Sequence, residues 1–179
     1  LEGGGECRIR LIDCVGYMID GAAGHMEEDA ERMVKTPWSE EEIPFTQAAE
    51  IGTDKVMRDH STIGLVITTD GSIGELPRSN YLGAEEKTIL ALKKSGKPFL
   101  VLVNSQKPYS EETRQVAEEI GSKYDVSVMP VNCEQLKKED KIYIYDNKNH
   151  EYVYSVFANY EVKTDDLSPI FYNNFSELT

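Results

Sequence analysis

Three short apolar runs govern what this chain can become. "STIGLVITT" (61–69), "PFLVLVN" (98–104) and "DVSVMPVNC" (125–133) have the length and β-branched content of strands. Two amphipathic stretches separate them. "SNYLGAEEKTILALKKSG" (79–96) predicts a helix capped by Ser79 or Asn80, with Lys93 and Lys94 in its last turn and Gly96, then Pro98, ending it. "SEETRQVAEEIGSKY" (110–124) predicts another, with Ser110 as N-cap, Glu111 and Glu112 in the first turn, and Val116 and Ile120 turned inward. Upstream, "CRIRLIDC" (7–14) reads as a further buried strand and "IPFTQAAEIGTDKVMRDH" (43–60) has helical spacing. Strands that alternate regularly with helices predict a doubly wound, mainly parallel α/β sheet. Ligands bind beyond the carboxyl ends of such strands, so the polar strand ends are singled out: Asp13, "TTDG" (68–71), Asn104 and Asn132.

After residue 140 the pattern changes. The last 39 residues carry nine of the 16 aromatics, and "KIYIYDNKNHEYVYSVFANYEV" alternates about an Asp/Asn-rich centre. That predicts an antiparallel β-hairpin and not another strand–helix unit. The expected division is therefore an α/β domain over 1–140 and an aromatic-rich hairpin appendage over 141–179.

Charge and cysteines narrow the function. Asp and Glu number 32 against 19 Lys and Arg, a net charge of −13, which favours neither a nucleic-acid backbone nor an anionic membrane. "FLVLV" (99–103), the longest apolar run, is too short to span a bilayer, and no export signal is visible. Cys7, Cys14 and Cys133 lack C-x-x-C spacing, so packed or idle thiols in a reducing compartment are expected. His25, amid the carboxylates of "HMEEDAER" (25–32), reads as a solvated face, because no second His stands at ligand spacing.

The motifs concern phosphate. Asp13 to Gly16 reads D-x-x-G, the pattern with which many phosphate-loop NTPases contact a Mg²⁺-bound water and sense a γ-phosphate. It works beside a G-x-x-x-x-G-K-[ST] loop, and these 179 residues contain none. "LEGGGE" (1–6) has glycines without a following Lys-Ser/Thr, and "SGKP" (95–98) ends a helix where a phosphate cradle would open one. "VNSQKP" (103–108) occupies the strand end where GTPases carry N-K-x-D. Without that carboxylate it favours ATP over GTP, and a plain capped turn before Pro108 accounts for it equally well. "VNC" (131–133) sits where such folds place a last base-contacting loop; Cys133 there is a packed thiol and not a nucleophile, since no base adjoins it. "TTDGSIGELPR" (68–78) reads as a turn, with support of a nucleotide pocket or a subunit contact as the alternative. The polar segment 17–42 reads as a long loop.

The stretches "RLIDCVGYMIDGAAGHMEEDAERMVKTPW", "EIPFTQAAEIGTDKVMRDHSTIGLVITTDGSIGELPR" and "GKPFLVLVNSQKPYSEET" closely resemble the stage IV sporulation protein A family of spore-coat morphogenetic ATPases, over about residues 7–140. The resemblance implies an ATP- and Mg-binding domain whose hydrolysis drives self-assembly into filaments forming the base of the coat. It implies Asp13 and Gly16 on the metal and γ-phosphate side, Asp13 reaching Mg through water, with Asn104, Asn132 and Cys133 on the base side. It also implies a membrane-tethered anchoring partner, other coat proteins, and a cytoplasmic place in the mother cell at the outer forespore surface. In such folds the strand carrying the phosphate loop lies between the Asp13 strand and the 62–69 strand. Its absence predicts a sheet short of a shared neighbour, and a chain inert as an ATPase by itself. Two alternatives are a non-enzymatic self-assembling module and a sortase-related transpeptidase. The second rests on "KIYIYDNKNHEYVYSVFANYEVKTDD…FYNNFSELT", which is similar to a strand pair of class B sortases but lacks their catalytic Cys, His and Arg motifs.

Overall fold

A computed structural model describes residues 10–27, 30–136, 141–145 and 151–155 of the 179. The chain divides into two compact units, one spanning Cys7–Cys133 and one that includes the final strand pair.

The first unit begins irregularly and then forms two small antiparallel pairs. Met26–Glu27 (β1) pairs with Ala30–Glu31 (β2), and Met33–Thr36 (β3) with Ser39–Pro44 (β4). The segment expected to be a plain loop over 17–42 is therefore partly hairpin. Helix α1, Phe45–Lys55, follows directly and winds into a π turn over Val56–His60. The helical pattern seen from residue 43 starts two residues late because Ile43 and Pro44 are still paired with Val34 and Met33.

The centre is a sheet of three parallel strands in the order β5-β6-β7: Gly64–Thr69, Phe99–Asn104 and Val128–Val131. Helices α2 (Leu82–Ser95) and α3 (Glu111–Tyr124) are the crossovers. Val66, Val101 and Val103 alternate onto the face those helices cover, and they pack with Ile89, Leu92, Ala117, Ile120 and Tyr124. Ile89, Val101 and Val103 are fully buried. Pro130 can lie in β7 because that strand is an edge, where a missing N–H costs no ladder bond.

Among the described residues nothing covers the other face. Leu65 pairs with Leu100, and Ile67 with Leu102, which pairs in turn with Met129. Leu65 is 58%, Ile67 63% and Met129 47% exposed. A parallel sheet ordinarily has both faces covered; here helices α2 and α3 cover one.

The expected strand over 7–14 does not form in its described part. Arg10–Cys14 is irregular and exposed, with Leu11 84% accessible. A parallel strand needs a hydrogen-bonded neighbour. Among the described residues nothing pairs with the outer edge of β5, and Arg10–Cys14 does not take that place.

Helix ends follow the local chemistry with one exception. Gly96 ends α2 at φ 69°, the left-handed conformation that suits glycine. Ser110 caps α3, its hydroxyl accepting the Thr113 N–H at 3.3 Å. Neither Ser79 nor Asn80 caps α2, because residues Arg78–Tyr81 form a 3₁₀ turn and the helix starts only at Leu82.

In the second unit Lys141–Tyr145 (β8) runs antiparallel to Glu151–Ser155 (β9), with Tyr143 opposite Val153. The Asp/Asn-rich centre of this pair and residues 156–179 lie outside the described residues.

Candidate functional site

The carboxyl ends of β5, β6 and β7 converge, and polar side chains knit their loops together. Asn104, the last residue of β6, accepts the Cys133 N–H on Oδ1 at 2.9 Å. Asn132 is buried, and its Nδ2 donates to the Gln106 carbonyl at 3.3 Å. The structure thus brings together three of the residues singled out from sequence, Asn104, Asn132 and Cys133. Burial pushes the Cys133 thiol above its usual pKa, which suits a packed thiol and not a nucleophile.

Beside them is a cleft of about 330 Å³ lined by Asp70, Ser72, Ser105, Gln106, Lys107 and Ser110 among others. Asp70 is its anchor. Oδ1 accepts from the Ser72 N–H at 2.9 Å and the Ser72 hydroxyl at 2.6 Å, and Oδ2 accepts the Thr113 hydroxyl at 2.7 Å. The fully buried Ser105 lies 3.1 Å from Thr113, oxygen to oxygen, and accepts the Lys107 N–H at 2.9 Å. Burial by itself would raise the Asp70 pKa. The hydroxyls of Ser105, Ser72 and Thr113, with the Ser72 N–H, outweigh it and hold the carboxyl at about 2. The "TTDG" turn is therefore a strut between the loop after β6 and the first turn of α3. Its hydroxyl partners come from residues up to 43 positions away, and no local period announces them.

A buried ion pair fixes the other end of that turn. Arg78 donates to both oxygens of Glu85, at 2.6 and 2.9 Å, and to Thr68 at 3.0 Å, while the Thr68 hydroxyl donates to Glu85 at 2.7 Å. Glu85 is only 5% exposed, so this pairing is what makes a carboxylate tolerable there. Gly71, at φ 92°, must be glycine: a Cβ would meet the Arg78 nitrogen at 2.9 Å.

The D-x-x-G segment is built differently. Asp13 is exposed, and its Oδ1 accepts the Cys14 N–H at 2.9 Å. Gly16, at φ 80°, donates its N–H to Thr53 Oγ1 of α1 at 3.0 Å. The next residue, Tyr17, is in the core cluster, and its hydroxyl donates to Asp54 at 2.6 Å. Burial and that bond raise the Tyr17 pKa well above the ordinary phenol range.

The residues fit a nucleotide and its metal in part. An exposed single carboxylate suits contact with a hydrated Mg²⁺ through water, and a strand-end cleft suits a base. Among the described residues no three His, Cys, Asp or Glu side chains gather as metal ligands. The Lys and Ser/Thr that hold triphosphate and metal in a phosphate loop are not supplied by this chain, so no hydrolytic step is derived from it.

Residues 1–152 match the family model described as stage IV sporulation protein A, ATPase domain. The stage IV sporulation protein A of Bacillus anthracis is 49% identical over 140 residues, which is 78% of this chain and 28% of that protein. That of Bacillus subtilis (strain 168) is 47% identical over 147 residues, 82% of this chain and 30% of the relative. That of Clostridioides difficile (strain 630) is 48% identical over 133 residues, 74% and 27% respectively. The chain thus spans under a third of the length of the curated relatives it matches. No solved structure matches it. Among the described residues no helix is long and apolar enough to cross a membrane.

Proposed function

The chain belongs to the stage IV sporulation protein A family, and from that membership we propose that it forms the metal-side and base-side portion of an ATP-hydrolysing domain that drives assembly of the spore coat. The observation that carries this reading is the convergence of Asn104, Asn132 and the Cys133 amide at the strand ends, beside the Asp70 cleft.

In this reading Asp13 would hold Mg²⁺ through a water and the Gly16 N–H would serve the γ-phosphate. Asn104 and Asn132 shape the loops that take adenine, with Cys133 lining them through its backbone. Bound Mg²⁺ would supply charge neutralisation for phosphoryl transfer. Because these residues include no phosphate loop, the chain is inert as an ATPase alone. Its larger role is self-association into the filament layer beneath the coat, in the mother cell at the forespore surface, with a membrane-tethered anchor and other coat proteins as partners.

A non-enzymatic assembly module is the second reading. The exposed apolar face of Leu65, Ile67 and Met129 favours it, because such a face tends to seek cover.

Phosphate release from Mg·ATP separates the two. The purified chain is expected to release none. The same chain with a G-x-x-x-x-G-K-[ST] strand-and-loop segment joined ahead of residue 1 is expected to hydrolyse ATP, and Asp13→Asn is expected to slow it by roughly 100-fold or more. Turnover by the chain alone, or turnover indifferent to Asp13→Asn, would contradict the proposal.

A further inference from the structure

The amide that the D-x-x-G pattern reserves for a phosphate already has a partner. Gly16 N–H points at Thr53 Oγ1, 3.0 Å away, and Thr53 is 2% exposed within α1. An amide carries one proton and serves one strong acceptor at a time. The neighbouring contacts brace the same junction. Tyr17 donates to Asp54, the residue after Thr53, and the Lys87 ammonium of α2 lies 4.4 Å from the Tyr17 ring centroid while pairing with Glu50 of α1.

We propose that Thr53 is the positioning residue of the D-x-x-G turn: its hydroxyl oxygen holds the Gly16 amide when no anion is present, and an arriving phosphate must take that amide from it. The second half of the statement rests on the nucleotide reading above; the first does not. Glycine at φ 80° lets the N–H face α1, where a residue with a Cβ would be strained. Threonine suits the acceptor role because its hydroxyl oxygen can accept an incoming N–H. When the amide leaves Thr53, Tyr17 and Asp54 feel the change, and with them α1 and the β3–β4 pair that runs into it. Phosphate occupancy at one end of the sheet is thereby coupled to a surface built from β3, β4 and α1.

Hydrogen exchange of the Gly16 amide in the full chain, without nucleotide, tests the hold directly. The expected result is exchange at least roughly 10-fold slower than in an unstructured peptide. Thr53→Ser keeps that protection and Thr53→Val loses it, while the amides of Ile89 and Val101 stay protected in both. Exchange of Gly16 at the unstructured rate in the parent chain would overturn the proposal, whether or not the valine variant folds. So would a folded Thr53→Val chain with protection unchanged.

Mg·ATP binding by the chain carrying the joined phosphate-loop segment tests the competition. Thr53→Val is expected to bind roughly 2- to 10-fold tighter than the parent and Thr53→Ser about equally, since only valine removes the competing acceptor. Equal affinities in all three would overturn the competition. No binding by any of them would overturn the nucleotide reading and leave Thr53's hold to the exchange result.

Discussion

Asn104 accepts the backbone N–H of Cys133 at 2.9 Å, a bond that ties the end of the central strand β6 to the residue that follows the β7 strand end by two positions. The side chain of Asn104 carries the β6–β7 ladder, whose last pairing is Asn104 with Val131, one link further into the loop after β7. Asn104→Ala leaves the Cys133 amide without its acceptor and is expected to cost about 1 kcal/mol in urea unfolding. Asn104→Asp keeps an acceptor oxygen and should recover most of that loss at neutral pH.

The Arg78–Glu85 pair should behave as a buried pair and not as a surface one. Arg78→Met strands the Glu85 carboxylate in an environment only 5% exposed, and about 3 kcal/mol of stability should go with it. The exposed Lys123–Glu86 pair, at 3.5 Å, gives the contrast: Lys123→Met should shift the unfolding midpoint hardly at all.

Asp70 should make the fold sensitive to acid. Its folded pKa of about 2 lies below the ordinary value of 3.8, so its contribution is fully present above about pH 4 and is lost as pH falls toward 2. Asp70→Asn should flatten the stability profile in that window. At neutral pH the same change should cost about 1–2 kcal/mol, because hydroxyls that now donate to a charge lose it.

The two faces of the sheet should answer mutation differently. Val103→Ala empties a fully buried position against the helices and should cost about 2 kcal/mol. Ile67→Thr, on the face that is open, should stay within about 0.5 kcal/mol while lowering self-association.

Much of the fold is legible in the chain, for identifiable reasons. β5, β6 and β7 announce themselves because each is a short, β-branched apolar run bounded by polar residues, and Ser110 and Gly96 mark helix ends through local chemistry alone. Local chemistry also misleads. Ser79 and Asn80 resemble caps, yet a 3₁₀ turn displaces the start of α2 past them. Arg10–Cys14 carries the composition of a strand, but a strand is a property of pairs and the neighbour is not among the described residues. The short pairs β1–β2 and β3–β4 escape notice because their residues are mostly exposed, with no apolar alternation to read.

The site divides in the same way. Asn104, Asn132 and Cys133 were accessible because strand ends in an α/β sheet must converge. The knot of Asp70, Ser105 and Thr113 joins two strand-end loops to the first turn of α3, and hydroxyl contacts across such separations leave no pattern in the sequence. Thr53 was hidden for a similar reason: nothing in a helical stretch reveals that one hydroxyl faces a turn 37 residues earlier.

The proposal that this chain carries the metal and base sides of an ATPase domain, and does not hold ATP by itself, has one direct test. A thermal melt of the purified chain with and without Mg·ATP tests it most directly. The account predicts one cooperative transition whose midpoint is the same in both. A midpoint raised by Mg·ATP would contradict it, because it would show a pocket that binds nucleotide without a phosphate loop.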